Sequence, residues 1–434
     1  MSQESSQAPG DYMYELAREL WPINRSITGP GLRETLAILG REMQGLGVRA
    51  VSSGSQAFDW RVPDEWSVRE AWIEDAGGRR IVDFADNNLH VLGYSTAVDA
   101  EFPLEELDAH LYSLPDKPDA IPYVTSYYQP RWGFCLSHRL RESMQPGNYR
   151  VRIDADHYPG VLNYGELLLP GKHTDEVLLS TYICHPSMAN NELSGPVVAT
   201  ALVNWLGGLE NRHYSYRFVF VPETIGSITF ISRNLAALKK NVVAGFNITC
   251  VGDEGGYSYL PSRHGDTLAD RALRYVLSRR APDYRRYNYL DRGSDERQYC
   301  SPGVDLPVAT FCRSKFGEYA EYHTSLDDLS LISAKALQQS FELMCDVFRC
   351  LETSPRASAL VNCEPRLGPR GLYPTLGRPG TPAKLLAKRR MNVLAYADGR
   401  SLVEIAEATA IGLEEVTEII ELFEQHGLVA LARD

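Results

Sequence analysis

Long apolar runs, paired cysteines and an excess of positive charge are all missing from this 434-residue chain. No segment approaches the ~18 apolar residues of a membrane span, and the polar N-terminus lacks the features of a secretory signal. Lys and Arg number 44 against 56 Asp and Glu, which gives a net charge of −12. An acidic chain repels nucleic-acid backbones and anionic membranes. We therefore expect a cytoplasmic protein that binds neither nucleic acid nor membrane.

Several catalytic and metal-binding motifs are absent as well. The sequence has no GxSxG, HExxH or Walker A motif, which removes serine hydrolases of that type, zincins and P-loop enzymes. The cysteines form neither a CxxC pair nor a zinc-ribbon spacing, so we interpret them as reduced and mostly buried thiols. The eight positions are Cys135, Cys184, Cys250, Cys300, Cys312, Cys345, Cys350 and Cys363.

Changes in residue composition and hydrophobic periodicity divide the chain into parts. Short aromatic and β-branched runs between turn residues indicate a β-rich insert at 56–159. Residues 1–55 and 160–355, on either side, contain helical patterns and apolar strands that alternate with helices, which predicts an α/β core around a parallel sheet. The Pro/Gly-rich segment 356–382 is typical of a linker. Residues 383–434 then predict a compact three-helix unit.

Four apolar strands and four helices are predicted within the α/β core. The strands lie at 176–183, 216–222, 242–251 and 306–311, and the helices at about 194–209, 225–238, 267–279 and 328–352. In parallel sheets of this kind, ligands bind beyond the carboxyl ends of the strands.

Metal-ligating side chains follow these strands. His185, Glu223 and Asp253 come after successive strands, and His323 stands in a later loop. Two imidazoles with one or two carboxylates are the ligands of a catalytic zinc, and a further carboxylate can deprotonate its water. Taken singly, each residue has a structural alternative: a turn histidine, a helix cap or an exposed turn residue. Their joint placement favours the metal site.

Eight long runs then carry a resemblance to a known family. They are WPINRSITG, FDWRVPDEW, NNLHVLGYSTAVD, IPYVTSYYQPRWGFCLS, YICHPSMANNELSGPVVA, VPETIGSITF, SDERQYCSPGVDLP and GEYAEYHTSLDDL. The chain resembles bacterial aminopeptidase-like proteins whose genes are labelled as polysaccharide-biosynthesis or DUF4910-type, and residues 166–352 resemble M28 zinc aminopeptidases. The resemblance implies a three-layer α/β/α, phosphorylase/hydrolase-like core, a β-rich insert and a C-terminal winged-helix-like domain.

The resemblance also implies roles for single residues. His185, Asp253 and His323 match the first His, the later Asp and the final His of the M28 ligand pattern. Glu223 matches the usual general base. We therefore expect one zinc ion held by these three ligands, with Glu192 as its fourth ligand.

Two positions depart from the M28 pattern. Asn191 stands where M28 peptidases have a metal-bridging Asp, and Thr224 stands where they have a second Glu. A neutral amide cannot bridge two cations as a carboxylate does, and a threonine is a poor zinc ligand. A single ion is thus the more economical hypothesis.

Substrate contacts are predicted from residues in loops near the strand ends. The planar fork of arginine suits a carboxylate, and Lys315 lies in one of the same loops. The alternative is that these are surface arginines and core tyrosines. The expected substrate-binding residues are Asn191, Arg297, Arg313, Tyr257 and Tyr322.

The C-terminal unit invites a DNA-binding hypothesis, since winged helices read DNA grooves. Its predicted helix 412–425 carries five glutamates and no Lys or Arg, so this helix repels phosphate. We expect a docking or oligomerisation role, with any homo-oligomer formed through this unit or the insert.

These observations converge on a metal-dependent hydrolase of the M28 aminopeptidase type. It would cleave a terminal amide bond of a small aminoacyl or acylamino substrate, in a biosynthetic setting that the gene label suggests. A non-catalytic protein that keeps the peptidase pocket for ligand binding is the alternative, and a winged-helix regulatory protein is the third.

Overall fold

The N-terminal segment packs two helices against one face of a large sheet. The structure is a computed structural model that describes residues 8–352, 355–373 and 382–432. Helix α1 spans Pro9–Leu20, helix α2 spans Pro30–Glu42 and strand β1 spans Gly47–Ser52. Both helices start with a proline in the first turn, where its missing N–H is not needed.

The next segment forms a β-rich unit around an antiparallel sheet. The strand order is β5-β4-β9-β6, and alternate side chains of β9 are buried, as expected for a sheet with one covered face. The elements are β2 (Gln56–Ala57), β3 (Trp60–Arg61), β4 (Glu65–Glu74), β5 (Arg80–Asp83), β6 (Val98–Pro103), α3 (Leu104–Leu107), β7 (Leu111–Tyr112), β8 (Phe134–Cys135), α4 (His138–Ser143) and β9 (Asn148–Tyr158).

The core follows, and it contributes most strands of an eight-stranded sheet. Its order is β1-β10-β12-β11-β13-β16-β14-β15. The elements are β10 (Val161–Leu169), β11 (Glu176–Tyr182), a π-helical turn (Ala189–Leu193), α5 (Ser194–Gly207), β12 (Ser215–Val221), α6 (Ile225–Asn241), β13 (Val242–Ile248), β14 (Ser258–Leu260), α7 (Leu268–Arg280), β15 (Arg285–Arg286), α8 (Glu296–Tyr299), β16 (Val308–Cys312) and α9 (Ala334–Glu352).

The four central strands, β12, β11, β13 and β16, are parallel, as predicted. Strands β10 and β14 pair antiparallel to β12 and β16, so the sheet as a whole is mixed. In β11, Val177 and Leu179 point into the core beneath α1, α5 and α9, whereas Leu178 points into the core shared with α6 and the insert. Helices thus cover both faces, and the expected three-layer α/β/α architecture is confirmed.

The C-terminal unit consists of helices packed on a small sheet. Its elements are β17 (Arg356–Ala359), α10 (Pro382–Ala395), β18 (Asp398–Ser401), α11 (Leu402–Thr409), α12 (Leu413–Gln425) and β19 (Val429–Ala432). Strand β17 lies between β18 and β19. The segment expected as a linker, 356–382, therefore begins with the central strand of this sheet. Four residues are too few to show a period, and residues 374–381 lie outside the described part of the chain.

Two ion pairs join this unit to the core. Arg271 on α7 pairs with Glu404 on α11, and Arg274 Nε lies 2.7 Å from Glu407 Oε1. Within the described ranges, no helix is long and apolar enough to cross a membrane. All eight cysteines fall in those ranges, and none forms a disulfide.

We expect Gly195→Ala to destabilise the core by about 2 kcal/mol or more, because overpacking a tight interior costs about 1–3 kcal/mol. A Cβ at Gly195 would lie 2.4 Å from Thr181 Oγ1 and 2.5 Å from Ile248 O. Gly207 ends the same helix, and nothing lies within 4 Å of a Cβ there. Gly207→Ala is thus the control and should be neutral or stabilising by up to about 1 kcal/mol. Urea unfolding of both variants measures the difference, and equal stabilities would contradict the packing described.

Candidate functional site

His185 lies just beyond the carboxyl end of β11 and is almost fully buried. Its Nδ1 is 2.9 Å from Glu192 Oε2, and its Nε2 is 3.7 Å from Glu223 Oε2. Burial lowers the pKa of His185 to about 3, and the charge of Arg25 adds to this effect. The imidazole is therefore neutral at physiological pH and can act as a metal ligand or a proton acceptor.

A fully buried arginine stands behind His185. Arg25 Nε donates to the backbone carbonyl of His185 over 3.0 Å and lies 3.7 Å from Glu192 Oε1. Burial raises the pKa of Glu192, while the charge of Arg25 opposes the rise. Glu192 Oε2 lies within hydrogen-bonding distance of His185 Nδ1, and an N–H at that nitrogen leaves the Nε2 lone pair on the side of Glu223.

Glu223 is presented by a strained turn after β12. Thr224 has φ 64° and ψ −78°, and the N–H of Ile225 donates to Glu223 O over 2.8 Å. This is a γ-turn of the rare form, which a β-branched residue adopts at a cost. Such strain persists only where the surroundings enforce it, and it concentrates at functional sites.

Burial also sets the charge of the carboxyl groups here. It raises the pKa of Glu223 to about 8, with a further contribution from the negative charge of Asp295. Asp295 is buried below the turn, where its Oδ1 accepts the N–H of Thr224 at 2.8 Å, and burial raises its pKa to about 6. Without a bound cation, Glu223 thus carries a proton at neutral pH.

His323 approaches from the loop before α9. Its φ is 54°, its ring stacks on Tyr322 at 3.9 Å, and its ring centroid lies 5.3 Å from that of His185. Burial lowers the pKa of His323 to about 3. Its Nε2 is buried and has no hydrogen-bond partner within the described part of the chain.

The insert holds this loop in place. The N–H of Tyr123 donates to His323 O over 2.9 Å, and Ile121 and Ser325 exchange two further hydrogen bonds. The insert also forms one wall of a cavity of roughly 410 Å³. His185, Glu223 and His323 all line this cavity. The lining residues are Ile27, Trp60, Tyr123, Thr125, Tyr127, Tyr128, Cys184, His185, Glu223, Thr224, Arg297, Gln298 and His323.

Asp253, the expected third metal ligand, does not line this cavity. Its Oδ1 accepts the Ser314 hydroxyl and the N–H of Gly255, both at 2.7 Å, and its Oδ2 accepts the Asn190 side chain at 2.8 Å. These bonds use its oxygens to tie the loop after β13 to neighbouring segments. The structure therefore does not bring Asp253 to the two histidines.

Glu192 and Asn191 lie on the π-helical turn, and neither lines the cavity. Glu192 supports His185 from behind rather than facing the cavity. The side-chain nitrogen of Asn191 donates to Tyr182 Oη over 2.8 Å. The turn is held by Asp327, which accepts the N–H groups of Asn190 and Asn191. The helix expected at 328–352 begins only at Ala334, directly after Ser333, whose Oγ accepts the N–H of Ala336 over 3.1 Å.

The expected substrate residues divide between two places. Arg297 lines the cavity, where its Nη2 donates to Thr224 Oγ1 over 2.6 Å, and Tyr322 lies against His323. Arg313 and Tyr257 instead line a separate pocket near the β14 edge of the sheet. The first pair is thus at the histidine site, and the second pair is not.

Only one trio of described His, Cys, Asp or Glu side chains has ligand atoms mutually within 4.8 Å: Cys184, His185 and Glu192. This trio is poorly suited to a metal. Glu192 is already engaged by His185 and Arg25, and burial raises the pKa of the Cys184 thiol well above its usual value. The Cys184 sulfur also accepts the N–H of Glu223 at 3.2 Å.

Comparison with known proteins adds the family. Residues 14–354 match the family described as a domain of unknown function, DUF4910. The chain belongs to the DUF4910 family. Residues 356–431 match a winged helix-turn-helix family, which confirms the expected C-terminal fold.

Relatives of the chain support the expected core. A protein of Clostridium acetobutylicum named for polysaccharide biosynthesis and an aminopeptidase-like domain is 40% identical over 407 residues, or 93% of this chain and 92% of the relative. The crystal structure of a candidate peptidase from that organism is 38% identical, with a TM-score of 0.87, and covers 98% of this chain and 96% of its own. BSAP, a zinc aminopeptidase from Bacillus subtilis, is 14% identical with a TM-score of 0.58, over 78% of this chain and 93% of its own. The likeness to zinc aminopeptidases and M28 peptidases shows the fold alone, and it confirms the M28 peptidase-like architecture.

Sequence reasoning missed Arg25, Asp295 and the aromatic wall of the insert. Arg25 lies within the WPINRSITG run, where a charged residue between a helix end and a Gly-Pro turn was the available signal. Trp60 and Tyr128, with ring centroids 5.5 Å apart, lie in two other runs. Nothing local to these residues indicates that they meet at the cavity.

The raised pKa of Glu223 predicts a pH-dependent stability in the metal-free protein. Between the ordinary carboxyl pKa of 4.5 and about 8, the folded state keeps a proton that the unfolded chain releases. Stability of the natural protein should therefore fall as pH rises through this window, relative to Glu223→Gln. Thermal melting of both proteins from pH 5 to 8.5, with chelator, measures this.

The two histidines remain in both proteins, whereas the charge of Asp295 acts on Glu223, so the difference reports the titration of this pair of carboxyl groups. Glu421→Gln, an exposed substitution on α12, is the control and should melt in parallel with the natural protein. A constant difference between the natural protein and Glu223→Gln across the range would contradict the burial of this carboxyl.

Proposed function

We propose that this protein is a metal-dependent hydrolase that cleaves a terminal amide bond of a small aminoacyl or acylamino substrate. The observation that carries the proposal is the meeting of His185, His323 and Glu223 in one cavity at the carboxyl end of the parallel strands. Two neutral imidazoles beside a carboxyl group are a minimal set for a catalytic metal site.

The donor atoms fit one ion better than two. His323 Nε2 is buried and has no hydrogen-bond partner among the described residues. His185 Nε2 is the ring nitrogen on the side of Glu223, 3.7 Å from Oε2. Asn191 and Thr224, at the positions that would complete a second centre, are engaged with Tyr182 and Arg297. We assign His185 and His323 to the ion, replacing the earlier expectation of Asp253 and Glu192, and the name of BSAP suggests zinc. Such an ion, when bound, polarises the amide carbonyl and acidifies water.

Glu223 supplies the proton transfer in this proposal. Its carboxyl group lies 3.7 Å from His185 Nε2 and next to Arg297 in the cavity wall. A nearby cation would lower its pKa from about 8, which leaves the carboxylate able to accept a proton near neutral pH. The carboxyl then returns the proton to the leaving amine.

The cavity wall is partly aromatic and suits a small substrate that carries a ring. Trp60, Tyr127 and Tyr128 supply ring surfaces from the insert, and Arg297 offers its planar fork for a carboxylate or carbonyl group. The name of the Clostridium relative points to polysaccharide biosynthesis as the setting. An aminoacylated or acylated amino sugar has the rings and the amide that this wall would take. The free thiols agree with a cytoplasmic location.

A ligand-binding protein without turnover is the second candidate. The observation in its favour is that Asn191 and Thr224 stand at the usual ligand positions and are bound into the protein's own hydrogen-bond network. Bound zinc without hydrolysis of any aminoacyl amide would favour this candidate.

We expect about one zinc per chain in the natural protein after dialysis, measured by mass spectrometry of the metal. His323→Ala should weaken zinc binding by more than roughly 100-fold. Mutation of a residue that only supports a metal ligand already lowers metal affinity about 10–100-fold. Exposed His426 at the end of α12 gives the matched control, His426→Ala, which should keep its zinc. Zinc content that is indifferent to His323→Ala would contradict the assignment.

Glu223→Gln separates the proton-transfer role from a ligand role. It should retain zinc and lose about 10²–10⁴-fold in kcat on a panel of aminoacyl p-nitroanilides and N-acylated amino sugars. Loss of zinc together with activity would make Glu223 a ligand instead. Activity at the natural level would remove it from the mechanism.

For the C-terminal unit we propose a docking role and no nucleic-acid binding. Its α11 already pairs with Arg271 and Arg274 of the core, and α12 carries five glutamates. Fluorescence anisotropy with a labelled DNA duplex at about 0.15 M salt should show no saturable binding, because acidic helices repel phosphate. Saturable binding that weakens steeply with salt would contradict this proposal.

A further inference from the structure

The pocket lined by Arg313 and Tyr257 is distinct from the cavity lined by His185 and His323, which we call the histidine cavity. It has a volume of about 270 Å³ and lies between the loop after β13, strand β15 and the loop after β16. None of its lining residues is shared with the histidine cavity. Tyr319 and Tyr322, packed edge to face at 5.5 Å, connect its wall to His323.

A buried arginine without an acidic partner stands at this pocket. Arg313 is only 6% exposed. Its Nε donates to Gly255 O at 3.1 Å, its Nη1 donates to Gln339 Oε1 at 3.2 Å, and its guanidinium lies 4.6 Å from the ring centroid of Tyr257. No carboxylate oxygen of the described ranges lies within 4.0 Å of it. Burying a charge in this way is costly unless an anion compensates it.

A second buried cation lies beside Arg313. Lys315 is 9% exposed, and its Nζ sits 3.5 Å from Glu318 Oε1 and 5.2 Å from the ring centroid of Tyr287. Glu318 also accepts from Arg285 and Tyr287, both at 2.7 Å. The Glu318 carboxylate is thus shared between Lys315 and Arg285, and it forms no ion pair with Arg313.

The lining of the pocket therefore carries a positive net charge, whereas the net charge of the whole chain is negative. Three cations face it, whereas its carboxylates are the shared Glu318 and the exposed Asp283. We propose that this pocket is a second binding site, which takes a small molecule through a phosphate or carboxylate group. Arg313 and Lys315 bind the oxyanion, since a guanidinium fork and an ammonium group suit both kinds of anion. The rings of Tyr257 and Tyr287 face the rest of the ligand.

The test uses the full-length protein with inorganic phosphate and, separately, succinate, at ionic strength matched with chloride. Isothermal titration calorimetry should show saturable binding of at least one of them, and the tighter one identifies the preferred anion. Lys315→Met and Arg313→Gln should each weaken this binding at least tenfold. Circular dichroism checks their folding, and Lys315→Met keeps the apolar stem in case Arg313→Gln does not fold.

Two control variants place the site. Arg286→Gln removes an exposed cation next to Arg285 that does not line the pocket, and it should bind as the natural protein does. Arg297→Gln removes the arginine of the histidine cavity and should leave unchanged the binding that Lys315→Met weakens. Absence of saturable binding would overturn the proposal. So would binding that survives Lys315→Met but is lost in Arg297→Gln. Neither result depends on whether the histidine cavity hydrolyses an amide.

Discussion

Strand β11 is hydrogen-bonded to parallel neighbours on both sides, and all of its side chains are buried. A strand in this position cannot slip by one residue, because the slip would exchange the two cores that its alternate side chains fill. Its carboxyl end therefore delivers His185 to one point of the sheet edge. The parallel neighbour β12 delivers Glu223 to the same edge, where the strained turn at Thr224 presents it.

The histidine site is completed by parts of the chain that are far apart in sequence. The insert binds the backbone of the His323 loop through Tyr123 and closes the cavity with aromatic rings. On the opposite side, Arg25 holds the carbonyl of His185 and lies next to Glu192. Burial then determines the protonation of the site: it lowers the pKa of both imidazoles, which are neutral, and raises the pKa of the Glu223 carboxyl.

Asn191 and Thr224, the two positions expected to depart from the M28 ligand pattern, are bound to internal partners. Asn191 donates to Tyr182, and Thr224 accepts from Arg297. Asp253, which the family pattern would place at the metal, is held by Ser314 on the loop after β16. That loop also carries Arg313 and Lys315 to the second pocket. The same sheet thus supports the two sites that we propose, one for a cation and one for an anion.

The four central strands of the core, their parallel pairing and the placement of His185 and Glu223 at the ends of two of them followed from the sequence, whereas the strands β10, β14 and β15 were not among those predicted. The predicted features depend on local periodicity and on the rule that parallel strands end at a shared edge. The four-residue strand β17 was missed because it is too short to show a period. The tertiary structure alone decided that Asp253 accepts a hydrogen bond from Ser314 and that Glu192 contacts His185 Nδ1. It also decided that Arg25 pairs with Glu192. Those roles depend on partners from distant segments, whose approach no local pattern records.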